Sequence, residues 1–382
     1  MYRYEDGRIY PCYAGIYKLY GEFSSIIHNT KEKMSPSNNA AWLEEKLAKP
    51  LTVKPAPYTP PGANEIVVKN HAVAINPVDA FIQTRGDVVF DWIKYPTVIG
   101  VDLAGEVVEV GSETASRFKI GDRVTGAGLG TIPERNTPVE GAFQNYTVVL
   151  ADLATKIPES LSYAQASVLP LCLATAATGL FVEEYLGLQL PTEPAQPSTG
   201  KALVIWGGST SVGSNAIQLA VAAGYEVFTT ASPKNFNYVK SLGASQAFDY
   251  NDENVVQKMI DVLKDKELAG AMAIGMNSLH PCATILSKTK GAKFVADVMA
   301  PSVTTPIPEE LGVTSKFVFG SNLKNDGVGK AVFHTFLEKG LESGKFIAAP
   351  EAEIVGHGLE SIQLGFDTLL KGVSAKKIVI TL

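Results

Sequence analysis

The sequence predicts an α/β protein of two domains, one β-rich and one built on a doubly wound parallel sheet. Three observations carry that reading. Short runs with period-two alternation fill the first half, near-continuous apolar runs alternate with amphipathic stretches in the second, and a glycine-rich turn joins the first of those apolar runs to its helix. At 382 residues the chain exceeds what one hydrophobic core usually organises, so two domains are expected. A content of 46% hydrophobic and 19% charged residues belongs to a folded globular chain and excludes a disordered tail.

Charge and cysteine usage exclude further classes. The formal net charge of −6 offers no basic field to a polyphosphate, so nucleic acid is not an expected partner. Apolar runs such as 202–206 and 219–223 fall far short of the roughly 20 residues that span a bilayer, so no membrane is expected either. Cys12, Cys172 and Cys282 stand too far apart for a disulfide framework or a CxxC metal knuckle, which fits a reducing compartment. The first residues lack the basic and apolar regions of a secretory signal and carry acids that a mitochondrial presequence avoids, so a cytoplasmic location is expected.

Along the chain, residues 1–35 are aromatic-rich and aperiodic and read as an N-terminal extension, either loosely ordered or a packing arm. From 41 to 150 the strand signals are 65–74, 101–110, 123–126 and 144–149, separated by Pro60-Pro61-Gly62, Gly111-Ser112 and Gly121-Asp122. Residues 191–200, rich in Pro, Ser and Thr, read as a surface connection. Strand signals then recur at 201–208, 226–232, 247–250, 268–275, 293–298 and 316–321, with helical patterns at 211–223 and 253–264. Apolar strands alternating with helices imply a parallel sheet covered on both faces. The final run, 376–382, is expected to return to the β-rich half as an edge strand, making the second domain an insertion into the first.

The glycine turn reads Gly207-Gly208-Ser209-Thr210-Ser211-Val212-Gly213. Its first glycines allow a tight turn, Gly213 lets helix and strand approach, and the free N–H groups of the helix N-terminus face an anion, as in a dinucleotide site. The end of the next strand separates the cofactors. An acid there would hold the ribose 2′-hydroxyl of NAD, whereas Ser232, Lys234 and Asn235 stand here without one, which favours the 2′-phosphate of NADPH. A lysine at a helix N-terminus is unfavourable unless an anion visits.

From about residue 45 to the C-terminus the chain resembles the medium-chain dehydrogenase/reductase superfamily. The carrying segments are Gly100-Val101-Asp102-Leu103-Ala104-Gly105 through Gly111, then Phe118-Lys119-Ile120-Gly121-Asp122-Arg123-Val124, then the glycine turn. The resemblance implies a GroES-like β-rich catalytic domain, at 36–172 and 336–382, and an inserted Rossmann domain at 173–335 that binds NADPH. Where zinc alcohol dehydrogenases of that superfamily carry a Cys and a Glu-paired His, this chain reads Asn76-Pro77-Val78-Asp79 and Gly100-Val101-Asp102, so no metal is expected. The four-cysteine structural lobe is absent, and His28, His71, His280, His334 and His357 are scattered.

That departure resembles the zinc-independent quinone oxidoreductases, and residues 75–81, 169–181, 232–235 and 248–250 resemble the fungal branch holding the trans-acting enoyl reductases of polyketide synthases. By that resemblance Asn76, Pro77, Val78 and Asp79 border the nicotinamide. Gly208, Ser209, Thr210, Ser211 and Val212 with Ser232, Lys234 and Asn235 line the phosphates. Tyr250 lies near the adenine ribose, and Val298, Val373 and Ser374 close on the cofactor. Thr175 and Thr178, on a small-residue helix at the domain interface, and Phe317 and Gly320, at the end of a late strand, are expected at the substrate pocket. Asn76, Asp79 and Thr175 are the candidate catalytic residues.

Without a metal to polarise a ketone, the chemistry best suited is hydride addition to an activated C=C bond of an enone or enoyl thioester, or to a quinone, since such acceptors carry their own electron sink. The expected partner is that small molecule, either free or presented by an acyl-carrier domain, with a monomer and a homodimer both open. A trans-acting enoyl reductase serving a polyketide synthase and a non-catalytic NADPH-binding protein are the alternatives.

Overall fold

The computed structural model describes residues 3–5, 8–10, 36–86, 90–320, 323 and 327–382. The chain divides into two compact units, Met1–Ser37 and Asn38–Leu382. In the first, β1 (Arg3–Glu5) and β2 (Arg8–Tyr10) pair antiparallel. Otherwise the extension expected over 1–35 lies outside the described residues.

The second unit opens with a small sheet of β3 (Asn38–Leu43), β4 (Thr52–Ala56) and β6 (Thr97–Val98). The sheet of the β-rich half turns on β5 (Glu65–Ala74), a strand buried along most of its length. One edge of β5 pairs with β7 (Asp102–Val110); on the other, its first residues meet β9 (Tyr146–Leu150) and its last meet β19 (Lys376–Thr381). With β8 (Arg123–Ala127), β10 (Ala154–Lys156) and β18 (Glu351–His357), the order is β10-β8-β7-β5-β19-β18. The chain therefore does return to this sheet, but β19 is not an edge strand: β18 pairs with it in parallel and takes the edge. The physical reason is composition. β18 is exposed or half-buried throughout, while Lys377 to Ile380 are buried.

The second sheet is wholly parallel and contains β11 (Ala202–Trp206), β12 (Glu226–Ala231), β13 (Gln246–Asp249), β14 (Glu267–Ala273), β16 (Phe294–Asp297) and β17 (Thr314–Phe317), with the two-residue β15 (Lys290–Gly291) beside β14. Its order, β13-β12-β11-β14-β16-β17, reverses direction between β11 and β14, the position where doubly wound sheets open a crevice for ligands.

Four helices position the site: α1 (Pro77–Arg85), α2 (Tyr163–Ala166), α3 (Pro170–Phe181) and α4 (Ser211–Ala222). Helix α3 is small-sided because it lies against the second sheet, where a Cβ on Gly179 would come within 2.9 Å of Met272 and 3.4 Å of Ala296. The stretch Tyr163–Phe181 is long and apolar enough to cross a membrane by composition, a run longer than the short ones weighed above, yet 89% of it is buried inside the protein. Its hydrophobicity is that of a core element.

Candidate active site

The glycine turn follows β11 at the crevice. Gly207 has φ +87°, a conformation open to glycine, and a Cβ on Gly208 would meet Thr229 Oγ1 at 2.1 Å. A Cβ on Gly213 would meet the Gly207 carbonyl at 2.2 Å and Gly208 Cα at 2.7 Å. The turn is thus closed by backbone against backbone. Thr210 caps α4: its Oγ1 accepts from the Gly213 N–H at 3.0 Å and donates to the Gly207 carbonyl at 2.7 Å. This cradle fits the pyrophosphate of a dinucleotide, with Ser209, Ser211 and Val212 at the entry to the helix.

Beyond β12, Ser232 and Tyr250 hydroxyls lie 3.1 Å apart, and Lys234 is exposed and makes no ion pair among the described residues. Asn235 Nδ2 donates to Ser374 Oγ at 3.2 Å, joining the loop before β19 to this cofactor edge. Val373 beside it is exposed, and Val298 packs, half-buried, against the core after β16.

On the other side of the crevice lies a buried polar cluster. Pro77 opens α1, which the missing N–H of proline suits, and Asp79 folds back so that its Oδ2 accepts from the Asn76 N–H at 2.8 Å. The Asn76 side chain points inward. Its Nδ2 donates to Asp102 Oδ2 at 2.9 Å and its Oδ1 accepts from Lys377 Nζ. Lys377 Nζ also pairs with Asp102 Oδ2 at 2.9 Å and reaches Cys172 Sγ at 3.5 Å. Asp102 Oδ1 accepts from the Leu171 N–H at 2.6 Å, pinning the start of α3.

Burial dominates the protonation of this cluster. Desolvation raises the Asp79 carboxyl to about 7, with the neighbouring Asp102 charge adding to it and the Asn76 N–H opposing. Burial likewise pushes the Cys172 thiol up, against the pull of Lys377. Burial opposes the charge on Lys377, but Asp102 and Cys172 outweigh it and hold the ammonium above its ordinary value.

Each cluster segment has a neighbour in an apolar pocket: Val78, Val101 and Leu171 line it, with Phe319 and Gly320 opposite and Phe90 and Trp92 nearby. Trp92 is pinned by donating its Nε1–H to the Thr131 carbonyl at 2.9 Å. Among the described residues, no charged side chain lines this pocket.

The structure therefore brings Asn76 and Asp79 into the buried polar cluster and puts Val78, between them, and Gly320 in the pocket lining. Other expectations need correction. The neighbouring Phe319 lines the pocket, while Phe317, still within β17, is outside the lining. Thr178 is fully buried and its hydroxyl donates to the Ala174 carbonyl, so packing alone occupies it. Thr175 lies against Gly320, where an added Cβ would sit 2.7 Å from Oγ1, but its proton is committed to the Leu171 carbonyl at 2.9 Å. As a proton donor it is already engaged. Near the expected domain changes, α3 is bonded at its start to β7 and packs along its body on the second sheet, and the Phe333 carbonyl accepts from Thr155 of β10.

Sequence reasoning missed Lys377, and gave neither Asp102 nor Cys172 a role in the site. The signal for Lys377 was a lysine inside an otherwise apolar strand, which reads as ordinary only if that strand is an edge.

Comparison with known proteins agrees with this geometry. The alcohol dehydrogenase GroES-like domain matches residues 62–159. The dehydrogenase pigH of Monascus ruber is 50% identical over 374 residues, 91% of this chain and 100% of its own. The trans-enoyl reductase himH of Aspergillus japonicus is 40% identical over 349 residues, 90% of this chain and 97% of its own. Among solved structures, the mycobacterial protein Rv1454c in complex with NADPH superposes with a TM-score of 0.67 at 19% identity, covering 91% of this chain and 100% of that one, a likeness of fold.

Proposed function

Because this chain belongs to the medium-chain dehydrogenase/reductase superfamily, we propose that it is an NADPH-dependent oxidoreductase that works without zinc and reduces an activated C=C bond of an enone or enoyl thioester, or a quinone. The observation that carries this reading is the apolar pocket beside the Asn76 segment, which among the described residues has no charged side chain in its lining. Such a lining has nothing to ionise an alcohol, and suits an acceptor that delocalises its own charge.

The closed glycine turn fits a dinucleotide, and a bound nicotinamide supplies the hydride. The protein's part is placement. The Gly207–Gly213 turn and the α4 N-terminus receive the pyrophosphate, and Ser232 and Lys234 receive the 2′-phosphate. The Lys377–Asp102 pair fastens β19 and the starts of α1 and α3, and so holds Val78, Val101 and Leu171 as a fixed wall. Phe90, Trp92 and Phe319 exclude water from the reacting bond. Among the described residues the pocket lining has no titratable side chain, so these side chains do not supply the closing proton.

The 40% identity to a protein named trans-enoyl reductase favours one specific form, in which the substrate is an enoyl chain presented by the carrier domain of a polyketide synthase. A single assay tests both. NADPH consumption is followed with quinones, free enones and enoyl thioesters, with NADH and a chelator as controls. Chelator-resistant turnover preferring NADPH supports the proposal. Tight NADPH binding with no turnover of any acceptor would point to a non-catalytic binding protein, and turnover lost to the chelator would overturn the zinc-free reading.

A further inference from the structure

A pocket selects the length of its ligand where one end is closed and cannot give way. The strand register measures this one. Ala127 of β8 pairs with Asp102 of β7 on one side, and the pairing of Ala154 with Gly126 sets Leu153 beside Ala127 on the other. Val101, the residue before Asp102, and Leu153 both line the pocket, so its lining crosses two strand spacings, about 10 Å. Val101 stands at the end beside the polar cluster. At the other, Leu153 is 2% exposed, and the lining residues Leu129 and Ile132 are buried in the same apolar core.

Leu153 is also fixed in place. Its turn, Ala151–Leu153, is held from both sides by Arg117, whose Nη1 donates to the Ala151 carbonyl and whose Nη2 donates to the Ala154 carbonyl at 2.7 Å. Against this turn packs the segment Lys330–Phe336, which is π-helical, a rare geometry frequent at functional sites. Thr155 Oγ1 donates to the Phe333 carbonyl of that segment, and a Cβ on Gly329, the residue before it, would come within 3.3 Å of Leu153 Cδ2. Glycine at 329 lets the segment start hard against the leucine, whose side chain has no room to retreat.

We propose that Leu153 is the end-stop of the acceptor pocket and makes the chain selective for acceptors carrying an apolar tail of about 10 Å, roughly eight carbons in extended form. The inference rests on the reductase reading for placing the reacting bond at the Val78 and Val101 end; the closed end follows from register and burial alone. A compact quinone leaves the far end unfilled, and a longer tail must push Leu153 against Gly329.

The test uses the full chain and N-acetylcysteamine thioesters with straight tails of increasing length. The saturated series is titrated calorimetrically in the presence of NADPH, and the α,β-unsaturated series is turned over with NADPH. Wild-type affinity and kcat/KM are expected to rise about three- to fourfold per carbon up to roughly eight, then to fall by about tenfold or more. Leu153→Ala is expected to move the fall to tails about two carbons longer and Leu153→Phe to shorter ones, with Kd for NADPH unchanged in both. Leu153→Val, a smaller truncation expected to move it by about one carbon, serves where Leu153→Ala does not fold. A length limit in binding that moves with these variants, without turnover of any acceptor, overturns the reductase reading and supports the end-stop. Turnover without a length limit, or with one that the variants leave in place, overturns the end-stop and keeps the reductase reading. Neither binding nor turnover at any length overturns both.

Discussion

Asp79 and Lys234 show how differently one charge behaves on the two sides of the crevice. Asp79 is fully buried and its carboxyl is raised to about 7. Between the ordinary carboxylate range and pH 7 the folded chain therefore keeps a proton that the unfolded chain has released. Stability must fall as pH rises through that window, by about 1.4 kcal/mol per pH unit, and level off above it. Asp79→Asn keeps an acceptor for the Asn76 N–H and carries no titrating proton. Urea unfolding of both proteins from about pH 4 to about pH 8 is expected to show the variant gaining on the wild type up to about pH 7 and no further. A pH-independent difference would mean that Asp79 is ionised throughout. Lys234 is exposed, and its effect belongs to the cofactor. A charge-assisted bond to a 2′-phosphate is worth roughly 1.5–3 kcal/mol, so Lys234→Ala is expected to raise KM for NADPH by about 10- to 100-fold and to leave KM for NADH unchanged. Equal changes for both cofactors would remove the 2′-phosphate from its neighbourhood.

At the scale of elements, the glycine turn makes the sharpest prediction. Gly213→Ala places a methyl 2.2 Å from a backbone oxygen and 2.7 Å from a Cα, neither of which is the end of a flexible side chain, so α4 must move away from β11. Overpacking of this kind costs about 1–3 kcal/mol, and because the displaced N–H groups are the phosphate donors, NADPH affinity is expected to drop further than thermal stability does. Fluorescence titration and a thermal melt on the same sample separate the two. The turn was legible in the sequence because glycine spacing is a local signal, and β5, β7 and the parallel strands were legible for the same reason, each running on uninterrupted apolar or alternating residues. β18 was not, since Glu351, Glu353 and His357 disguise a strand whose only role is to cover an edge. Missing β18 turned β19 into an edge and made Lys377 look like an ordinary edge lysine. One absent strand concealed the cation at the centre of the site.

Over the whole molecule, Lys377, Asp102, Asn76 and Cys172 lie far apart in sequence and meet only because the chain leaves the first sheet after β10, builds the second and returns at β18. No local pattern records such a meeting, which is why the glycine turn could be read from the sequence and the cation could not. The return itself is held by α4. Gln218 Nε2 donates to the Ile347 carbonyl at 3.0 Å, the Ile347 N–H donates back to Gln218 Oε1 at 2.7 Å, and Asn215 Nδ2 donates to the Ala349 carbonyl at 3.2 Å. The helix that follows the glycine turn thus also holds the segment that leads into β18. Gln218→Ala strips two hydrogen bonds from the Ile347 backbone, and since Ile347 is exposed and water can replace part of them, a loss of about 1–3 kcal/mol is expected in urea unfolding. Gln218→Glu retains the acceptor for the Ile347 N–H and loses the donor, and is expected to recover part of that loss. Since the return places Lys377, NADPH affinity should weaken in step with stability across the pair. Affinity unchanged in a destabilised Gln218→Ala would show that the second sheet holds the cofactor without help from the returning strands.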